Sequence, residues 1–270
     1  MDYGAVEAYL ASFLRGELES SGRKGYVVGL SGGLDSSTVY ALAVRALGAE
    51  RVLPLIMPDP NVTPQADVED AVGLARLYGT RYHVVNIAPI IEVFKGSLPV
   101  YESEEADRVA LGNLRARVRM CILYYYANKL DYIVLGTGDR SEILIGYFTK
   151  YGDGGVDVAP LAVLYKSQVR RLALHLGVPE SIALKPSSPR LWPGHEAEKE
   201  LGMSYDNIDL VLHAYFDLKL SRGEVSGATG VPESVVERVL GMYEGSKHKR
   251  AWVKAPGVEP IVEMMVKARA

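Results

Sequence analysis

Gly29-Leu30-Ser31-Gly32-Gly33-Leu34-Asp35-Ser36-Ser37 lies between an apolar strand pattern, Tyr26-Val27-Val28-Gly29-Leu30, and an amphipathic helix pattern from Thr38 to Leu47. Gly32 and Gly33 carry no Cβ, so backbone N–H groups there can close on an anion. The helix that follows adds its orphan N–H groups and the positive end of its dipole. Ser31, Ser36 and Ser37 add hydroxyls, and Asp35 is the only formal charge in the run. This set suits a pyrophosphate group with a divalent cation beside it. The run lacks the Gly-Lys-Ser/Thr ending of a Walker A loop and the G-x-G-x-x-G spacing of a dinucleotide turn.

Outward from this run the chain alternates strand and helix patterns. Residues 3 to 21 place Val6, Tyr9, Leu10, Phe13, Leu14 and Leu18 at helical spacing. Val52 to Met57 reads as a second strand, and Thr63-Pro64 as an N-cap with proline at the first helical position, opening a helix to about Tyr78. Tyr82 to Ile87 reads as a third strand. Pro89 to Asp107 is poorly patterned, with Glu102, Glu104, Glu105 and Asp107 as a solvated acidic face. A long helix from about Val109 to Lys129 leads to a fourth strand, Tyr132-Ile133-Val134-Leu135. Such alternation predicts an α/β fold: a doubly wound, mostly parallel sheet with helices on both faces and ligands at the carboxyl ends of its strands. Beyond residue 136 glycines crowd 146–155, Pro186 to Gly194 is a long irregular stretch, and helices at roughly 204–219 and 232–244 precede a basic tail. Segments such as 146–156 and 186–203 read as lids. The expected organisation is one domain over 1–270: a nucleotide-binding core over about 25–135, substrate and lid loops over about 136–203, and a helical region over about 204–270.

Composition narrows the function. The chain has 270 residues, 48% of them hydrophobic, enough for a substantial core. A formal charge of −3 with scattered Lys and Arg gives no reason to expect nucleic acid as a partner. No apolar run approaches the roughly 20 residues that span a bilayer, and Met1-Asp2-Tyr3-Gly4 has no basic signal region, so a cytoplasmic protein is expected. Cys121 is the single cysteine, which rules out an internal disulfide and a Cys-rich metal site. It lies in a helical stretch, where a buried structural thiol is expected.

The first run matches the SGGxDS signature of the PP-loop ATP pyrophosphatases, which cleave ATP between its α and β phosphates. A second cluster sharpens the resemblance. Gly136-Thr137 is followed by Glu142, then by Gly146-Tyr147-Phe148-Thr149-Lys150-Tyr151-Gly152-Asp153-Gly154-Gly155-Val156-Asp157, Pro160-Leu161 and Lys166. With Leu201-Gly202, Tyr205, Ile208-Asp209 and His248-Lys249-Arg250, the chain closely resembles the NAD synthetase family over nearly its whole length. A GMP synthetase-like relative would lack the Phe148–Gly155 run, and a tRNA-modifying PP-loop enzyme would show more cysteines or a basic surface. A non-catalytic nucleotide sensor of similar fold would lack the pair Asp35 and Glu142.

The resemblance implies ATP- and Mg²⁺-dependent amidation of deamido-NAD through an acyl adenylate, with release of AMP and pyrophosphate. It implies ATP contacts at Gly29, Leu30, Ser31, Gly32, Gly33, Leu34, Asp35, Ser36, Thr137, Lys166 and Ser188, with Ser187 an alternative to Ser188. Asp35 and Glu142 would hold Mg²⁺, whose preference is for oxygen ligands and phosphates. Lys166 would neutralise charge on the α,β-phosphates. Arg117, Lys150, Asp157, His248 and Lys249 would contact deamido-NAD, with Asp157 accepting from a ribose hydroxyl or the incoming amine. Where relatives carry Gly-Gln-Thr-Asp-Glu this chain reads Gly194-His195-Glu196-Ala197-Glu198. Glutamine-dependent relatives carry a further amidase domain with a nucleophilic cysteine, whereas a single helical segment precedes the first strand here. Free ammonia is therefore the expected nitrogen donor, and the family implies a homodimer.

Overall fold

The computed structural model describes residues 1–251 and 253–267. Four parallel strands, β1 (Gly25–Gly29), β2 (Val52–Ile56), β3 (His83–Val84) and β4 (Tyr132–Leu135), form one sheet in the order β3-β2-β1-β4. Tyr26 stands beside Val52 on one side and Ile133 on the other, so β1 is central. The chain winds outward through β2 and β3, then crosses back to place β4 on the other side of β1. The carboxyl end of β1 is thus the switch point at which such sheets bind ligands.

Both faces of the sheet are covered, which is why β1 reads as an unbroken apolar run. Tyr26 and Val28 face one core with Leu10 and Leu14 of α1 (Tyr3–Ser21), Val39 of α2 (Leu34–Leu47) and Leu74 of α3 (Gln65–Leu77). Val27 faces the other, with Ile91 of α4 (Ala88–Ser97) and Val118 of α5 (Arg108–Leu130). After β4 come α6 (Arg140–Ile145) and α7 (Lys166–His175), the latter returning to the first core through Leu172. Two short helices, α8 (Glu180–Ala183) and α9 (Ala197–Leu201), flank the irregular run 186–196. A third core joins α6 to the C-terminal helices α10 (Tyr205–Leu212), α11 (Arg222–Thr229) and α12 (Glu233–Gly245) through Ile145, Ile208, Val225 and Val239. Helices α13 (Lys247–Arg250) and α14 (Glu259–Lys267) complete the described chain.

Several local expectations are corrected. The stretch after Pro89 is not irregular but forms α4, which buries only Ile91 while Ile90, Val93 and Phe94 are exposed, so its apolar residues mark no single core stripe. Glu104 is not merely solvated; it pairs with Lys95 and with Arg115. The third strand shrinks to two residues at the sheet edge, although Val85 N still donates to Ile56 O at 2.8 Å. Pro64 itself takes the cap position of α3, and the Thr63 hydroxyl instead accepts from Asp59 N at 3.1 Å. Cys121 is exposed, because it shares with Arg117 and Tyr125 the stripe of α5 that faces away from the sheet.

One glycine fastens the C-terminal helices to the sheet domain. Gly146, at φ 73°, ends α6, and a Cβ there would lie 2.1 Å from Ser246 Cβ. The Gly146→Ala protein is expected to lose roughly 2–4 kcal/mol in urea unfolding, from left-handed strain plus overpacking. Gly241, within α12 and with nothing within 4 Å of its would-be Cβ, is the contrast: Gly241→Ala is expected to gain up to about 1 kcal/mol.

Candidate active site

The loop after β1 is shaped by one close approach. Gly32 sits at φ 75°, and a Cβ there would lie 2.1 Å from the Asp67 carbonyl oxygen, so the loop lies flat against the start of α3 only because the residue is glycine. Its hydroxyls knit it together: Ser36 Oγ accepts from Ser31 N at 3.1 Å and donates to Gly33 O at 3.3 Å, while Ser31 Oγ accepts from Gly33 N at 3.3 Å. No side chain caps α2, leaving the amides of its first turn open to an anion.

Beside this cradle lies a buried knot of charge. Lys166, the first residue of α7 and 0% exposed, reaches Asp35 Oδ2 at 2.8 Å, Glu142 Oε1 at 2.8 Å and Asp139 Oδ2 at 3.0 Å. Asp139 and Glu142 belong to one capping box at the start of α6: Asp139 Oδ1 accepts from Glu142 N, and Glu142 Oε2 from Asp139 N. Burial alone would lower the Lys166 ammonium, but the Asp139, Asp35 and Glu142 charges reverse this and hold it well above the ordinary lysine range. Burial pushes the Asp139 carboxyl up to about 6 and raises Glu142 well above its usual value, with Lys166 opposing both shifts. Three carboxylates around one ammonium leave an excess of acceptor oxygen, and Asp35 Oδ1 is buried without a hydrogen-bond partner.

The cradle opens into one cleft of 440 Å³ at the carboxyl end of the sheet, which the knot reaches through Asp35 and Glu142, while Lys166 and Gly32 lie behind its wall. Its walls include Gly29, Leu30, Ser31, Gly33, Leu34, Asp35 and Ser36 from the first run, Thr137 and Glu142 after β4, and Ser187 and Ser188. Ser188 Oγ is taken up by the His195 carbonyl, whereas Ser187 Oγ is buried with no partner among the described residues. Lys249 reaches the wall by donating to the carbonyls of Gly146 at 2.8 Å and Phe148 at 2.7 Å.

The other expected dinucleotide residues lie outside this wall, and three of them, Arg117, Lys150 and His248, are linked by hydrogen bonds. Arg117 donates to Lys150 O at 3.3 Å, and Lys150 Nζ donates to His248 O at 2.5 Å. Asp157 accepts from Tyr124 Oη at 2.8 Å and from Val134 N at 2.9 Å, so both its oxygens are engaged. The departing loop is structurally committed. His195 is 3% exposed, stacks on Trp192 at 3.5 Å between ring centroids, and meets Glu200 Oε2 at 2.7 Å. Glu196 pairs with Lys199, and Glu198 accepts from Tyr205 N at 2.7 Å.

Asp139, Asp67, Lys185 and Arg119 also belong to the site and were not singled out from sequence. The pattern Asp139-x-x-Glu142 was readable as a capping box. Lys185 meets Asp67 across 118 residues of chain, and no local signal reveals that.

A family model described as NAD synthase matches residues 6–253. The chain belongs to the NAD synthase family. Within that family it is 59% identical over 261 residues to the NH(3)-dependent NAD(+) synthetase of Aeropyrum pernix, covering 97% of this chain and 91% of that protein. The counterpart in Hyperthermus butylicus is 60% identical over 256 residues, covering 95% and 91%. Among solved structures, NMN synthetase from Francisella tularensis aligns with TM-score 0.83 at 33% identity, over 95% of this chain and 99% of that one. The NH3-dependent NAD synthetase from Campylobacter jejuni, in complex with nitrate, aligns with TM-score 0.78 at 29% identity, over 95% and 100%.

The knot predicts its own stability signature. Lys166→Ala leaves buried carboxylates unpaired and is expected to cost about 3–5 kcal/mol in denaturant unfolding at neutral pH. Protonation relieves the repulsion, so the deficit should shrink as pH falls towards about 4 and grow as pH rises through the elevated carboxyl values.

Proposed function

We propose that the protein joins ammonia to deamido-NAD at the expense of ATP, forming NAD, AMP and pyrophosphate. The observation that carries the reading is the single cleft holding an open glycine cradle next to Asp35, Glu142 and Lys166. The 59% and 60% identity to proteins named NH(3)-dependent NAD(+) synthetase supports the same reaction and the same nitrogen donor.

Asp35 and Glu142 are the residues that would hold a magnesium ion: both are oxygen donors gathered on the Lys166 ammonium, each 2.8 Å from it, and among the described residues Asp35 Oδ1 has no hydrogen-bond partner. Bound there, magnesium would neutralise phosphate charge. The protein's own groups do the positioning. The Ser31–Ser36 loop and the α2 amides bind the phosphates. The nicotinate carboxylate attacks the α-phosphorus, and Lys166 stabilises the charge that builds as the bond to the β-phosphate oxygen breaks. The resulting acyl adenylate is attacked by ammonia, releasing AMP. The intermediate hydrolyses readily, so the 146–156 and 186–203 segments act as lids against water.

Arg117, Lys150, Asp157, His248 and Lys249 receive the dinucleotide, three of them as cations suited to its pyrophosphate and carboxylate. Val109 and Tyr125 of α5 leave exposed apolar surface for a second copy, which supports a homodimer, and Tyr9 and Phe13 of α1 are exposed on the opposite face of the sheet. No helix among the described residues is long and apolar enough to cross a membrane, and a cytoplasmic site of action is part of this reading. A mononucleotide acceptor is the second reading, favoured by the likeness to the Francisella NMN synthetase.

Pyrophosphate release with ATP, Mg²⁺ and ammonium tests the proposal. Release should require deamido-NAD, match NAD formation mole for mole, and show a higher kcat/KM with the dinucleotide than with the mononucleotide; release without an acceptor would contradict it. Asp35→Asn is expected to lower kcat on the order of 10²–10³-fold with little change in unfolding midpoint. Lys150→Ala should raise KM for deamido-NAD well above any change for ATP, and equal changes would remove Lys150 from the dinucleotide site.

A further inference from the structure

The reaction places heavy negative charge in a cleft where Lys166 is already shared among three carboxylates. Four other cations line the cleft with Ser31, Gly33 and Ser36: Arg119, Lys249, Lys185 and Arg190, of which the last two meet at Asp67 beside the cradle. Lys185 Nζ donates to the Gly32 carbonyl at 3.0 Å, to Asp67 Oδ1 at 2.9 Å and to Asp70 Oδ2 at 2.6 Å. An ammonium thus rests on the backbone of the cradle itself, with all its donors engaged. Arg190 differs. Its Nε donates to Asp67 Oδ2 at 2.7 Å, but among the described residues its two terminal nitrogens donate no hydrogen bond to the protein.

The backbone presents Arg190 deliberately. It stands at φ 50°, a left-handed conformation that a side chain with a Cβ adopts at a cost. The chain on either side is pinned: Arg190 N donates to Ser188 Oγ at 3.3 Å, and the Leu191 carbonyl accepts from the buried Arg115 at 3.1 Å. Leu191 also lies against Gly112 of α5, where a Cβ would sit 2.9 Å from Leu191 Cβ. The guanidinium therefore stands on a fixed stretch of the lid segment.

We propose that Arg190 is a further catalytic residue, a lid-borne cation that binds the β- and γ-phosphates of the nucleotide, with Asp67 holding it at the cleft wall until they arrive. The inference rests on the ATP-cleaving reading above. When the nicotinate oxygen bonds to the α-phosphorus, the bond from that phosphorus to the bridging oxygen breaks. Its electron pair passes to the β-phosphate, with no proton transferred. The charge that grows on the departing pyrophosphate is what Arg190 meets. A guanidinium fork pairs with carboxylate and phosphate in similar geometry, so the exchange of partners is between like contacts. Asp67 is not stranded when Arg190 leaves, because Lys185 stays 2.9 Å from it. Lys185 is the positioning residue of the pair, holding the Gly32 backbone in place.

Calorimetric titration of the protein in Mg²⁺ with inorganic pyrophosphate, and separately with AMP, tests this, using the unaltered protein, Arg190→Gln and Arg190→Lys. Arg190→Gln should weaken pyrophosphate binding by at least about tenfold while AMP affinity stays within about twofold, since loss of a charged hydrogen bond is felt only by the ligand that makes it. Arg190→Lys should recover part of the loss, and thermal midpoints should match. Unchanged pyrophosphate affinity in Arg190→Gln, or equal losses for both ligands, would overturn the role of Arg190 alone. An unaltered protein that binds neither ligand would overturn the nucleotide-cleaving reading with it.

Discussion

The site depends on the pairing of one fully buried lysine with three carboxylates. Lys166 Nζ lies within 3.0 Å of Asp35, Asp139 and Glu142, which come from the first turn of α2 and from the start of α6. An ammonium at 0% exposure persists because the Asp139, Asp35 and Glu142 charges hold its proton on, and the ammonium in turn opposes the rise that burial imposes on the Asp139 and Glu142 carboxyls. Neither half is stable alone in that position. The knot therefore joins the sheet-core helices α2 and α7 to α6, whose other face belongs to the C-terminal core. It also leaves more oxygen than one ammonium can satisfy.

Close backbone approaches arrange the rest. Gly32 lets the loop after β1 meet α3, Gly112 lets the 186–196 segment meet α5, and Gly146 lets the C-terminal helices meet α6. A buried ion pair, Arg115 with Asp59 at 2.7 Å, ties the loop after β2 to α5, and the same arginine holds the Leu191 carbonyl. These contacts join parts of the chain that are far apart in sequence around the cleft. The site is thus a product of tertiary packing around a motif, and the motif alone does not build it.

Legibility followed the range of the interactions. The central strands and α1, α2 and α5 were readable because a buried parallel sheet demands continuous apolar runs and its covering helices demand 3.6-residue spacing. Helix α4 escaped because it buries Ile91 alone, and β3 was overextended because at the sheet edge only His83 and Val84 take regular strand geometry, with Val85 and Ile87 held by single hydrogen bonds. The Gly29–Ser37 run and Glu142 stood out as motifs, and the structure brings them to one cleft. Asp139 was hidden in plain view as the cap of the same box, and the Lys185–Asp67–Arg190 group was not legible at all, since its members meet only once α3 and the lid segment fold against the cradle. Cys121 misled for a related reason: a helical stretch rich in apolar residues does not say which stripe faces the sheet.

Under the proposed function, Asp35 and Glu142, gathered on Lys166, would hold the magnesium ion that accompanies the nucleotide. Anomalous diffraction from crystals soaked with Mn²⁺ and a non-hydrolysable ATP analogue tests it most directly. The account predicts a strong peak bonded to both Asp35 and Glu142 and to phosphate oxygen. A peak bonded to neither carboxylate, with Lys166 Nζ still holding both, would contradict it.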